Sequence, residues 1–259
     1  MKRFFTIFLS AISLGLCSVS NAQSLKEVYL APDPQTAKWS YIETDSNGKE
    51  RATIYYSIES LKGDAMNGNV KLRMNEVPVA TPKDSTENFG FYCFKDGEYM
   101  LDLRSGFEDF VFEGKIDSLT RVAVREKYPD ITKEKEKEVF EKVRSEFYKM
   151  SGETRGLPRN PEIGKLPDFE FQCKMGIMSM KITGKDRRVV GKESIETGAG
   201  TFDCFIVEET IATKFMFMKD VEKTKSWYAY GIGLVKEITY DKSGKLISTM
   251  ILNEINWQL

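Results

Sequence analysis

Tight-turn signals set between runs that alternate apolar and polar residues constrain this chain more than any other feature. Asp45-Ser46-Asn47-Gly48 separates residues 39–44 from residues 51–60, and Asn67-Gly68-Asn69 precedes residues 70–77. Lys95-Asp96-Gly97 divides residues 89–94 from residues 98–104, and Asp241-Lys242-Ser243-Gly244-Lys245 stands before residues 246–255. Asn-Gly and Asp-Gly steps supply the positive φ that short hairpins need. Alternation with a period of two marks a half-buried strand. Such a chain is written as an antiparallel meander.

The period changes once. Between Ile131 and Met150 the apolar residues Val139, Phe140, Val143, Phe147 and Met150 recur at three and four among Glu and Lys. That spacing predicts one amphipathic helix, with Thr132 as its N-cap and Ser151-Gly152 as its end. The surrounding Lys and Glu read as a solvated face joined by i,i+4 pairs. Residues 107–130 are mixed. After the proline-fixed connector Leu157-Pro158-Arg159-Asn160-Pro161, strand patterns return over residues 169–173, 189–190, 202–211, 213–219, 225–230, 234–240 and 246–255. The expected fold is therefore mainly β, a β-rich α+β chain. Roughly a dozen antiparallel strands form a curved sheet or half-barrel, with one amphipathic helix packed on it.

Composition and the first residues bear on location. Lys2 and Arg3 precede an apolar run over residues 4–16, and Ser20-Asn21-Ala22 offers the small residues at which a signal peptide is cut, before Gln23. The run is shorter than the ~20 residues that span a bilayer. Leu16 occupies the position before Cys17 where a lipidation motif wants a small residue. The expectation is a cleaved signal peptide over 1–22 and a single β-rich domain over 23–259. That domain comprises a meander (23–105), a helical segment (106–155) and a sheet half (156–259), with no transmembrane segment after cleavage. A formal net charge of −1 with lysines dispersed along the chain argues against nucleic acid as a partner.

Catalytic signatures fail one by one. The chain contains 0 histidines, which removes the commonest general base and the commonest metal ligand. Ser46-Asn47-Gly48-Lys49 matches SxxK only inside a hairpin turn, and there is no GxSxG elbow. Glu208-Glu209 and Glu108-Asp109 are adjacent pairs, which in a strand point to opposite faces. The expectation is a protein that is not an enzyme, with no metal and no cofactor. Cys93, Cys173 and Cys204 would survive processing. They predict either a Cys173–Cys204 disulfide, since both lie in strand-like runs of the C-terminal half, or three buried thiols.

Several residues stand out physically. Gly231 and Gly233 lie two apart, so on a strand they share a face that another backbone or a ligand can approach. More strand follows them, which excludes a dinucleotide loop. Gly198-Ala199-Gly200 reads as a turn that needs positive φ, with Gly200 a structural residue, and Trp227 as a sheet anchor whose indole N–H finds a carbonyl. Lys214-Phe215-Met216-Phe217-Met218-Lys219 reads as a strand apolar on both faces, with Met178 and Met180 nearby. Such a strand is either covered by protein on both sides or lines an apolar cavity. Met178, Met180, Phe215, Met216, Phe217 and Met218 are thus the candidate ligand-lining residues, against the alternative of ordinary core.

The order Leu157-Pro158-Arg159-Asn160, Gly164-Lys165-Leu166-Pro167-Asp168, Gly200-Thr201-Phe202-Asp203-Cys204 and Trp227-Tyr228-Ala229-Tyr230-Gly231-Ile232-Gly233-Leu234-Val235-Lys236 resembles the TapB-like family of secreted domains. The resemblance covers about residues 155–256. That family is similar in architecture to periplasmic lipoprotein carriers, whose curved half-barrel closes around lipid beneath a helical lid. The resemblance implies a fold and a periplasmic or secreted location in a Gram-negative-type envelope. It implies no activity. Two readings of function follow: binding of a lipid or other hydrophobic or amphiphilic ligand inside a curved sheet, or a structural or protein-interaction module of the envelope with a filled core. A hydrolase without histidine stands well behind both.

Overall fold

The computed structural model describes residues 38–63, 67–96, 98–108, 122, 124–175 and 178–256. The proposed leader and residues 23–37 lie outside the described residues. Five strands come first: β1 (Lys38–Asp45), β2 (Glu50–Gly63), β3 (Asn67–Pro78), β4 (Thr86–Lys95) and β5 (Glu98–Leu101). A short helix α1 (Leu103–Glu108) and the longer α2 (Lys133–Phe147) follow. The remaining strands are β6 (Tyr148–Glu153), β7 (Gly164–Lys165), β8 (Phe169–Met175), β9 (Met178–Thr197), β10 (Gly200–Phe215), β11 (Met218–Ala229), β12 (Gly233–Asp241) and β13 (Leu246–Asn256).

All of them belong to one antiparallel 13-stranded sheet in the order β5-β4-β3-β2-β1-β13-β12-β11-β10-β9-β8-β6, with β7 pairing β9 beside it. The first and last strands of the chain join its two halves, Lys38 opposite Asn256 and Asp45 opposite Ser248. The turn chemistry acts as expected at the two Asp-led turns, whereas Asn67-Gly68-Asn69 opens strand β3 instead of turning the chain. The Asp45 carboxylate accepts from the amides of Asn47 and Lys49, and Asp241 does the same for Ser243 and Lys245.

The sheet curls. One apolar cluster contains Tyr99 from β5, Tyr92 from β4, Trp39 and Tyr41 from β1, Leu234 from β12, Tyr228 from β11 and Val189 from β9. Strands so far apart in the sheet order share a cluster only if the sheet wraps around a common interior. Register shifts at Ile206/Val207 and Glu208/Thr210 bend the long β9–β10 pair, and another at Trp227/Tyr228 bends β11 against β12. The two edges then approach one another. Tyr99 of the edge strand β5 exchanges both backbone hydrogen bonds with Leu157, a few residues beyond the other edge strand, at 3.0 and 3.1 Å. At that point the edge of β5 no longer offers free pairing groups.

One expectation changes here. The helix stops at Phe147 and passes directly into β6, so Met150 and Ser151-Gly152 are strand residues rather than the helix end. Gly152, at φ 77°, sits where a Cβ would lie 2.1 Å from the Glu170 carbonyl oxygen. Close pairing with β8 therefore demands glycine. Thr132 does cap the helix, its hydroxyl accepting from the Lys135 amide at 3.4 Å. The apolar stripe residues Phe140, Val143 and Phe147 have side chains outside the described residues.

Candidate functional site

The inner face of the curled sheet is where a ligand would sit, and its own side chains occupy it. Trp39 stacks on Tyr56 at 5.7 Å, Tyr41 meets Tyr56 edge-on at 5.3 Å, and Tyr92 stacks on Tyr99 at 5.7 Å. Each of these rings is buried. The Tyr41 hydroxyl donates to the Leu234 carbonyl at 2.7 Å, so its polar end is satisfied across the interior. Burial pushes the Tyr41, Tyr56, Tyr92 and Tyr228 phenols above their ordinary range. They remain neutral hydroxyls.

One cavity of about 30 Å³ opens where the two sheet edges meet. Tyr99, Leu101, Gly156, Phe169, Arg187 and Glu209 are among its walls. That is room for about one water. Arg187 organises the place. Its Nε donates to the Glu209 carboxylate at 2.8 Å, Nη1 to the Pro167 carbonyl at 2.7 Å and Nη2 to the Gly156 carbonyl at 3.0 Å. The guanidinium carbon also lies 5.2 Å from the centre of the Phe169 ring. The side chains of Arg187 and Glu209 are 4% and 9% exposed, so this is a desolvated pair whose charge is met from several sides. Thr154 adds a hydroxyl bond to the Leu101 carbonyl, and the Gly156 amide donates to Glu98 at 2.9 Å. This constellation holds the seam closed. Neither the turn signals nor the motif runs pointed to it, because Arg187 and Glu209 meet only across the β9–β10 irregularity.

Farther along the inner face the polar groups are less well served. Glu222 of β11 is buried, and burial, reinforced by nearby Asp220, pushes its carboxyl up to about 7. The hydroxyls of Thr213 and Thr224 are buried there without a hydrogen-bond partner. Glu237 accepts from the Ser226 hydroxyl at 2.8 Å. Glu43 is also raised, chiefly by burial, with Arg51 opposing. Among the described residues no group of three or more Cys, Asp or Glu side chains is placed to hold a metal ion.

The candidate ligand-lining residues do not lie together on one strand. Residues 214–219 form a hairpin: β10 ends at Phe215, β11 begins at Met218, and the two are register partners. Met216 and Phe217 are the two turn residues, Met216 at φ 54°. Phe217 is 84% exposed and Met218 40%. The stretch is therefore not a single strand, neither one covered on both faces nor one lining a cavity; a two-residue turn without Gly, Asn or Asp leaves no mark in the sequence. Phe215 and Met180, which are register partners, do pack into an apolar cluster with Phe171, Ile182 and Ile211. Met178 pairs with Met175 at the start of β9, and its side chain lies outside the described residues.

Gly231 and Gly233 are likewise not on one strand face. Gly231 lies in the β11–β12 turn at φ 64°, and Gly233 opens β12 at φ 88°, so both are needed for their backbone conformation. The turn expected over residues 198–200 occupies 198–199, and Gly200, at φ 131°, opens β10. Trp227 is buried on the outer face. Its indole N–H donates at 2.8 Å to the Glu193 carboxylate rather than to a carbonyl. The Lys225 and Lys236 ammoniums lie 5.3 and 5.0 Å from its ring centre.

Cys173 and Cys204 are free thiols, as is Cys93. Cys173 packs in the inner cluster with Phe171 and Met180, whereas Cys204 packs with Trp227 and Val235 on the other face. The expected disulfide would have to pass through the sheet. Burial pushes the Cys93 and Cys204 thiols up to about 12, which keeps them protonated and weakly nucleophilic. Glu208 and Glu209 do face opposite ways: Glu208 pairs with Arg188 in solvent, Glu209 with Arg187 in the interior.

Comparison with known proteins adds the following. None of the curated proteins matches this chain. A family model described as DUF3108-like matches residues 130–252. The TapB-like resemblance overlaps that span without being confirmed as a family name. Two crystal structures have the same overall fold. A candidate lipoprotein from Parabacteroides distasonis is 19% identical, with a TM-score of 0.57 over 92% of this chain and 100% of that one. A candidate exported protein with a YmcC-like fold from Bacteroides fragilis is 16% identical, with a TM-score of 0.55 over 88% of this chain and 98% of that one.

Proposed function

We propose that this chain is a non-enzymatic protein of the cell envelope or secreted fraction, acting as a structural or protein-interaction module rather than as a carrier. The observation that carries this reading is the filled inner face. A pocket for a lipid-sized ligand needs several hundred Å³. At the seam, the described residues leave about 30 Å³. An amphiphile entering the curl would have to displace stacked tyrosines and break the Arg187 bonds. The location is supported by the leader-like pattern of residues 1–22 and by the names of the two proteins that share the fold. Among the described residues, no helix is long and apolar enough to cross a membrane.

The carrier reading stands second, favoured by the cluster of Met180, Phe171, Ile182, Ile211 and Phe215 on the inner face. Native mass spectrometry of protein gently extracted from the envelope separates the two. The module reading expects the bare polypeptide mass. A stoichiometric lipid that survives gel filtration would overturn it and establish the carrier.

A further inference from the structure

The β10–β11 hairpin tip combines three features that the fold itself does not require. Met216 and Phe217 occupy a two-residue turn where Gly, Asn or Asp would relieve the backbone, and Met216 adopts φ 54°. Phe217 and the next residue, Met218, project into solvent, at 84% and 40% exposure. Immediately behind them lies a row of like charges. Lys214 pairs in register with Lys219 on one side and with Lys181 on the other.

Like charges directly opposite one another disfavour a sheet. Lys181 is partly compensated by Glu170 at 2.6 Å. Among the described residues, no carboxylate makes an ion pair with Lys214 or Lys219. Asp220 follows Lys219, but its side chain belongs to the opposite face of β11 by alternation. The tip therefore presents an apolar point with a cationic collar one residue back, about 3.4 Å along the strand.

We infer that this tip docks on an anionic phospholipid surface, with Phe217 and Met218 entering the headgroup boundary and Lys214 and Lys219 resting against lipid phosphates. Both unfavourable features are relieved together there: the apolar side chains leave water, and the lysine row gains counter-charge. An apolar protein groove would cover Phe217 but leave the lysines repelling. The inference holds whether or not the interior of the sheet carries a ligand.

The test is co-sedimentation of the purified chain with vesicles of phosphatidylglycerol and phosphatidylcholine, against phosphatidylcholine alone, at low and high salt. The wild-type chain is expected to pellet with the anionic vesicles and to be released by salt. Phe217→Ser should lower the partition coefficient about tenfold, the loss expected for one aromatic side chain kept in water. The double variant Lys214→Glu, Lys219→Glu should abolish anionic preference. Both variants alter exposed positions, and unchanged melting temperatures will confirm that they fold. Any contribution from residues 1–22 is common to all chains, so the differences report on the tip alone. Wild-type protein that stays in the supernatant, or Phe217→Ser that pellets equally, overturns the inference. So does Phe217-dependent retention on immobilised polyglutamate without vesicle binding, which would assign the tip to an acidic protein.

Discussion

The seam where the sheet closes and the tip of the β10–β11 hairpin both carry apolar side chains beside cationic ones, yet they stand in opposite relation to water. At the seam, Arg187 is buried and answered by Glu209, two backbone carbonyls and an aromatic face. At the tip, Phe217 is exposed and Lys214 and Lys219 face each other. A cation taken out of water must have its partners within the fold, whereas a cation at the surface can wait for an external one. The first arrangement stabilises the molecule. The second is spare capacity that the folded chain does not use.

That contrast can be broken most sharply at Arg187. Arg187→Ala leaves Glu209 buried without its partner and should cost about 3–5 kcal/mol, read as a lowered urea midpoint with an unchanged slope. Survival of the wild-type midpoint would mean that the seam does not hold the fold. Gly156→Ala follows in size. A Cβ there would lie 1.1 Å from the Tyr99 carbonyl oxygen, so the two edges must part, at a cost of about 3 kcal/mol. Gly191→Ala is its control, because nothing lies within 4 Å of the added atom; calorimetry should find its melting temperature nearly unchanged.

Glu222 sharpens the comparison through pH. Its native carboxyl titrates near 7, above the ordinary value of 4.5. Between those values the folded state holds more protons than the unfolded one, so stability falls as pH rises through this window and levels off above it. Glu222→Gln should therefore raise the melting temperature at pH 8 by about 3 °C, the shift that ~1 kcal/mol produces in a chain of this size, and leave it nearly unchanged at pH 4. Equal effects at both pH values would show that the carboxyl is hydrated in the native state. The smallest expected change in stability is at the tip. Phe217→Ser should melt with the wild-type chain within about half a kcal/mol, because the ring is already in water. A clear loss of stability would show that Phe217 packs against the body of the protein.

The legible parts of this chain were those with a local cause. Asp45-Ser46-Asn47-Gly48 and Asp241-Lys242-Ser243-Gly244-Lys245 close hairpins by side-chain bonds to amides two and four residues on, and the period of two places the flanking strands. Thr132 could be read as a cap for the same reason. The Met216-Phe217 turn escaped because it uses none of the residues that ordinarily make such turns, and so it extended a strand pattern across a corner. The spacing of Gly231 and Gly233 fits one strand face equally well, although both serve the corner before β12. Parity within one strand could not forecast the separation of Cys173 and Cys204, since two register shifts in the β9–β10 pair lie on the path from β8 to β10.

By itself, then, the sequence determined many of the strands, the hairpins closed by Asp-containing turns and the antiparallel class, because each depends on residues a few positions apart. Only the tertiary structure decided that the sheet curls until Tyr99 meets Leu157, and that Arg187 locks this closure. It also decided that aromatic rings fill the inner face while Phe217 is left outside. Those outcomes rest on where bulges bend long strands and on contacts between residues tens of positions apart. Curvature accumulates over the whole sheet, and no local pattern of residues records its sum.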